Sequence, residues 1–148
     1  MKNKIFNTTF ENMIRVLLMM EVLDSSVNID RLVALDFINI YGKKCKVLDK
    51  NLHGDNEFGF AEFTNKRERI TEAIRLAVIK GFVDVNVSKD GFLYSISSKG
   101  KSIVQETQSA YSKEYMVGAK IVNRRFKDSS DEELLKYIND MSIGAKGV

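Results

Sequence analysis

From Met13 to Leu23 the chain is apolar at every position except Arg15 and Glu21, so no single stripe can be drawn along it. A helix that is apolar nearly all round is covered by other elements on most sides. Thr8, with Glu11 three residues on, has the form of a capping box and predicts a helix start just before the run. The run is too short to cross a bilayer, which takes about 20 apolar residues. It predicts a central core helix. Asp24-Ser25-Ser26 ends the pattern, and a second helix is expected from near Asn28, carrying Leu32, Leu35, Ile38 and Tyr41 before Gly42 stops it. Asp36 stands among apolar neighbours there, a carboxylate that needs a partner once buried.

Residues 43 to 63 show neither a helical nor a strand period, and a connection of this length is often functional or mobile. Phe58, Phe60 and Phe63 alternate near its end and predict a short extended segment. Thr64 reads as the N-cap of a third helix whose apolar face is Ile70, Ala73, Ile74, Ala77 and Val78, with Gly81 just past its end. The period then switches to two. Val83, Val85 and Val87 alternate with polar residues, and Phe92, Tyr94 and Ile96 answer across Lys89-Asp90-Gly91, a strong hairpin signal. A long fourth helix is expected from about Lys99 to Lys127, with Val104, Tyr111, Tyr115, Gly118, Val122 and Phe126 down one face. Ser130 with Glu133 forms a second capping box, opening a short helix through Leu134, Leu135, Tyr137 and Ile138, and the chain is expected to fray from Ser142.

Helix, helix, helix, hairpin is the order of a winged helix-turn-helix. The expected fold is therefore α+β and mostly helical: a winged helix-turn-helix with a two-stranded wing and a C-terminal helical arm. Residues 1–97 would form the winged-helix core, with loop 43–63 inserted before the third helix. Residues 98–141 would form the arm and 142–148 a frayed tail.

Composition changes this picture little. With 148 residues, 44% apolar and 29% charged, the chain is expected to be one ordinary globular unit, and its net charge of +3 permits binding to nucleic acid or to an acidic partner without demanding either. Cys45 is the only cysteine, so no internal disulfide forms and a cytoplasmic location is expected. Met1-Lys2-Asn3-Lys4 is basic, but no apolar stretch with a cleavage site follows to make a signal peptide. His53 and Cys45 are too few for a tetrahedral zinc site, and nothing marks a nucleophile for His53 to activate. Gly100-Lys101-Ser102 imitates the end of a phosphate-binding loop, yet Ser95 stands where that pattern needs glycine. No catalytic residue, cofactor or metal is expected.

The third helix is the basic one: Lys66, Arg67, Arg69, Arg75 and Lys80 against Glu68 and Glu72. On a helical wheel centred on Ile70, the outward face holds Glu68, Glu72, Arg75 and Ile79, with Leu76 beside them. Carboxylates on that face would meet phosphates, so base reading is disfavoured. Arg75, Leu76 and Ile79 are expected to dock a protein partner, joined by Tyr111 and Tyr115 of the arm. The same wheel turns Arg67 inward, where an ion pair with Asp36 is expected. Lys66, Arg69, Lys89, Lys120, Arg124 and Arg125 are the candidates for a weak DNA contact without sequence preference.

Several stretches resemble one family. They are Arg31-Leu32-Val33-Ala34-Leu35-Asp36-Phe37, Leu52-His53, Lys66-Arg67-Glu68 and Lys80-Gly81-Phe82-Val83. Further on come Tyr111, Tyr115, Gly118-Ala119, Arg125-Phe126 and Ser130-Asp131-Glu132-Glu133-Leu134. In this order they resemble the small middle components of bacterial ABC-three-component systems, the family called middle component 2. Gly54-Asp55-Asn56 departs from it, since the family carries prolines after the loop histidine. The resemblance implies an accessory subunit without an active site, in a system that pairs an SMC-like or Rad50-like ABC ATPase with an effector, often a nuclease. Lamassu-like defence against phage and plasmids is the best-known case. The partners implied are the ATPase and the effector of the same operon, with non-specific DNA and a second copy of this chain as further contacts, and no membrane. The alternative is a stand-alone winged-helix transcriptional regulator with the long helix as a dimerisation arm.

Overall fold

The computed structural model describes residues 8–54 and 63–146, which form six helices and one two-stranded antiparallel sheet. Phe58 and Phe60, expected in an extended segment, lie outside the described residues.

Helix α1 (Thr9–Leu23) starts at the expected cap, where the Thr8 hydroxyl accepts from the Glu11 amide at 3.0 Å. Asp24 in the left-handed region closes it. Met13 and the run from Val16 to Met20 are buried all round, as an element without a polar stripe must be. In α2 (Ile29–Ile40), Asn28 caps the first turn, and every residue from Leu32 to Ile40 is buried. The helix ends at Ile40 with Tyr41 as its cap. Gly42, expected as the stop, serves instead to admit Leu48, which a side chain there would overlap.

Helix α3 (Phe63–Ile79) begins one residue ahead of Thr64, and Phe63 is helical, edge-on to Phe37 at 5.0 Å. It ends in a Schellman turn: the Phe82 amide donates to Ala77 at 2.8 Å and the Gly81 amide to Val78 at 3.0 Å. Gly81 takes φ +81° there, a conformation that favours glycine.

Strands β1 (Val83–Ser88) and β2 (Gly91–Ile96) pair in the expected hairpin, with Val83 opposite Ile96, Val85 opposite Tyr94 and Val87 opposite Phe92. Val27, between α1 and α2, adds a bridge to Tyr94, the two backbones exchanging hydrogen bonds of 2.9 and 2.8 Å.

The long helix expected from Lys99 to Lys127 is two helices, α4 (Ser98–Glu106) and α5 (Ala110–Phe126). Thr107 turns extended, and Ser109 caps α5 by accepting from the Ser112 amide at 3.0 Å. The Ser112 hydroxyl donates back to the Thr107 carbonyl at 3.0 Å, which holds the corner. Helix α6 (Asp131–Lys146) opens with the full capping box, Ser130 and Glu133 each accepting from the other's amide. It runs well past Ile138, through most of the stretch expected to fray.

Helix α1 sits at the centre, touching α2, α3, α4, α5 and β2. The helices after residue 97 share its core: Tyr115, Ala119, Val122 and Phe126 of α5 and Leu134 and Ile138 of α6 lie in one apolar cluster with α1, α2 and α3. Arg31 of α2 ties this C-terminal part down, donating to the carbonyls of Phe126 and Ser129 and pairing with Asp131. Among the described residues, no helix is long and apolar enough to cross a membrane.

Candidate functional site

Asp36, in the middle of α2, is the hub of a buried polar cluster. Arg15 of α1 grips both its oxygens, Nε to Oδ1 and Nη2 to Oδ2, at 3.2 Å each. Lys66 of α3 reaches Oδ2 at 3.3 Å, and the Tyr115 hydroxyl of α5 donates to Oδ1 at 2.6 Å. Burial works against the charged carboxylate, but Arg15, Lys66 and the two hydrogen-bond donors outweigh it and hold Asp36 well below the usual range. Burial likewise works against the Arg15 cation, and the facing Asp36 keeps it above its ordinary value. The Tyr115 phenol is pushed up, by burial first and by the Asp36 charge second.

The expected Asp36–Arg67 pair is not formed. Arg67 instead meets Asp30 at 2.7 Å on an exposed face. Lys66, one position earlier, is the cation that α3 turns inward, its side chain only 12% exposed. This removes Lys66 from the nucleic-acid candidates. Tyr115, fully buried, is likewise removed from the docking surface.

The cluster extends outward through Tyr111, one turn before Tyr115 on α5. Its hydroxyl is hydrogen-bonded by Arg15 and lies 2.6 Å from His53 Nε2, the two rings stacked at 5.6 Å. Burial and the nearby Arg15 charge lower the His53 pKa to about 4. The ring is then neutral at pH 7, and one proton is shared between Nε2 and the Tyr111 hydroxyl. The cluster thus fastens α1, α2, α3, α5 and the His53 turn to one carboxylate. Among the described residues, no group of three His, Cys, Asp or Glu is arranged to hold a metal ion.

The outer face of α3 mixes Arg69 and Arg75 with Glu68 and Glu72, all exposed, and ends at Ile79, which is 75% exposed. Leu76 departs from the expectation: it is half-buried and packs against the core. Lys89 is exposed at the hairpin turn, and Lys120 and Arg124 are exposed on α5. Arg125, also exposed, lies over the rings of Phe126 and Tyr137 at 5.3 and 5.5 Å. These cations do not gather around one groove-reading element. A shallow cleft of about 190 Å³ between α5 and residues 48–52 is lined by Leu48, Leu52, Val117 and Ile121, with Asn39 and Gly118 at its floor. No periodicity in residues 43–54 pointed to it.

The chain matches the family model for Middle Component 2 of ABC-three component (ABC-3C) systems over residues 5–146. It belongs to that family. A middle component works in a system of several parts, so partner proteins are implied. No curated protein and no solved structure matches the chain.

Proposed function

We propose that the chain is a non-catalytic, cytoplasmic winged-helix subunit that bridges an SMC-like ABC ATPase and an effector, often a nuclease, in a Lamassu-like defence system. The family supports the setting, and one observation carries the docking role. Two of the cations of α3 that a DNA reader would aim outward are spent inside the protein or on its own acids. Lys66 is turned onto Asp36 and Arg67 onto Asp30, leaving an outer face of mixed charge around an exposed Ile79. An exposed apolar residue beside Arg75 is the mixture found at protein interface hot spots. The winged-helix reading is supported by Val27, which adds a third, one-residue strand to β2 from between α1 and α2.

On this reading the partner meets Arg75 and Ile79 on α3, with the rim of Tyr111 as a second contact, and DNA is touched only weakly through Arg69, Lys89, Lys120, Arg124 and Arg125. The test is a pull-down with the ATPase and effector of the same operon, using Ile79→Glu and Arg75→Glu together. Loss of the complex with an unchanged melting temperature supports the assignment, and an undiminished complex rejects it. A tight, sequence-dependent complex of the isolated protein with duplex DNA at physiological salt would instead favour the transcriptional regulator.

A further inference from the structure

Among the described residues, the outer edge of β1 is open. Within the described residues the sheet runs Val27, β2, β1, and nothing pairs with β1 on its far side. The register tells which backbone groups are left there. A two-residue turn joins Ser88 to Gly91, so these two form the hydrogen-bonded pair next to the turn, and bonded pairs recur at Asn86–Leu93 and Asp84–Ser95. Val83, Val85 and Val87 are then the non-bonded positions, with N–H and C=O aimed away from β2. Tyr94 confirms the alternation: it is the non-bonded partner of Val85, and its own groups turn the other way, onto Val27.

Natural sheets protect such an edge with lysine, proline, a bulge or a covering element. Strand β1 carries one exposed charge, Asp84, but no lysine or proline, and its register is unbroken from Val83 to Ser88. Its side chains are also unprotected. Val83, Val85 and Val87 share a face with Ile96, Tyr94 and Phe92. The inner end of this face joins the core, while Val85, Val87 and Phe92 at the outer end are 39%, 76% and 58% exposed.

We infer that β1 pairs with β1 of a second copy of this chain, antiparallel and centred on Asn86. The occupant follows from self-complementarity. Centring on Asn86 sets Val85 opposite the second copy's Val87, two of the three residues with outward hydrogen-bonding groups. Each such pair exchanges two backbone hydrogen bonds, so the outward groups of Val85 and Val87 are satisfied on both edges at once. Asp84 then faces Ser88, Val83 faces Lys89, and no like charges oppose each other. The two hairpins become one four-stranded sheet. This surface is distinct from the α3 face proposed for the ATPase, so either assignment can fail alone.

The test is sedimentation equilibrium of the full chain at high micromolar concentration, with Val87→Lys as the edge-blocking variant and thermal unfolding as the check on folding. A wild-type dimer whose dissociation constant rises roughly tenfold or more in a folded Val87→Lys supports the pairing. A register test runs beside it. Asn86→Cys would bring two cysteines together at a non-bonded pair with Cα atoms about 4.5 Å apart, within disulfide reach. Asp84→Cys would face Ser88 and should not cross-link. A wild-type chain that stays monomeric, or Asn86→Cys oxidising to dimer no faster than Asp84→Cys, overturns the inference. A strand from a different protein as the natural occupant would give that same monomeric result.

Discussion

Arg15 and Asp36 face each other across the crossing of α1 and α2, joined by two hydrogen bonds of 3.2 Å, with both side chains only 2% exposed. Removing one partner from a pair this dry strands the other charge, at a cost of about 3–5 kcal/mol. Asp36→Asn, which leaves both Arg15 and Lys66 facing a neutral amide, is expected to lower the melting temperature by about 10 °C or more. Asp30→Asn removes the acid of the exposed Arg67 pair and should cost about 1 kcal/mol at most. Thermal unfolding of the two variants side by side measures the difference. Equal, small shifts would mean that the cluster does not hold the helices together.

His53 predicts a pH dependence. Its folded pKa of about 4 lies below the unfolded value near 6.5. Between these values the unfolded chain binds a proton that the folded chain does not, so stability rises with pH. Its contribution is fully present above about pH 6.5 and is lost as pH falls toward 4. His53→Gln should flatten the slope of unfolding free energy against pH in this window, leaving the acid loss from carboxylates below it. An unchanged slope would show that the His53–Tyr111 contact is not maintained in solution.

Gly118 is predicted to tolerate no side chain. A Cβ there would overlap Asn39 Oδ1 and come within 3.3 Å of Leu48 Cδ1. Asn39 cannot swing aside freely, because its Nδ2 donates to the Tyr115 carbonyl at 3.0 Å. Gly118→Ala should destabilise by about 1–3 kcal/mol through overpacking, in spite of alanine's better helix propensity. The urea midpoint is the measurement, and a midpoint at or above wild type would refute it.

Cys45 is fully buried, and burial pushes its thiol up to about 12. Only the thiolate reacts at a useful rate. A disulfide dye should therefore leave the native protein unlabelled over hours and label it once in denaturant. Fast native labelling would mean that the segment around Cys45 opens readily.

The sequence disclosed most where a residue acts through its own neighbours. The apolar run of α1, the two capping boxes, the Gly81 stop and the hairpin are all local patterns, and all are present. Asp36 was legible as a carboxylate needing a partner, but the partner was not. Arg15 read as an interruption in an apolar run and Lys66 as an outward cation, because neither helix pattern says which elements cross. The break at 107–109 was hidden for a related reason. Ser109 has Ser112 where a capping box would have Glu or Gln, so the helical period seemed to run on. Val27 is a strand of one residue and has no period to read.

The position of α5 has a consequence for how the chain is made. Tyr115 reaches back 79 residues to complete the shell around Asp36, and Arg31 waits for carbonyls 95 and 98 residues further on. A ribosome delivers α1 and α2 long before these groups emerge. Until α5 leaves the exit tunnel, the central helix carries an uncovered apolar side and a cation–carboxylate pair without its lid. Folding is therefore tied to completion of the last third of the chain, and a message truncated after the hairpin would yield a sticky fragment that the cell must clear.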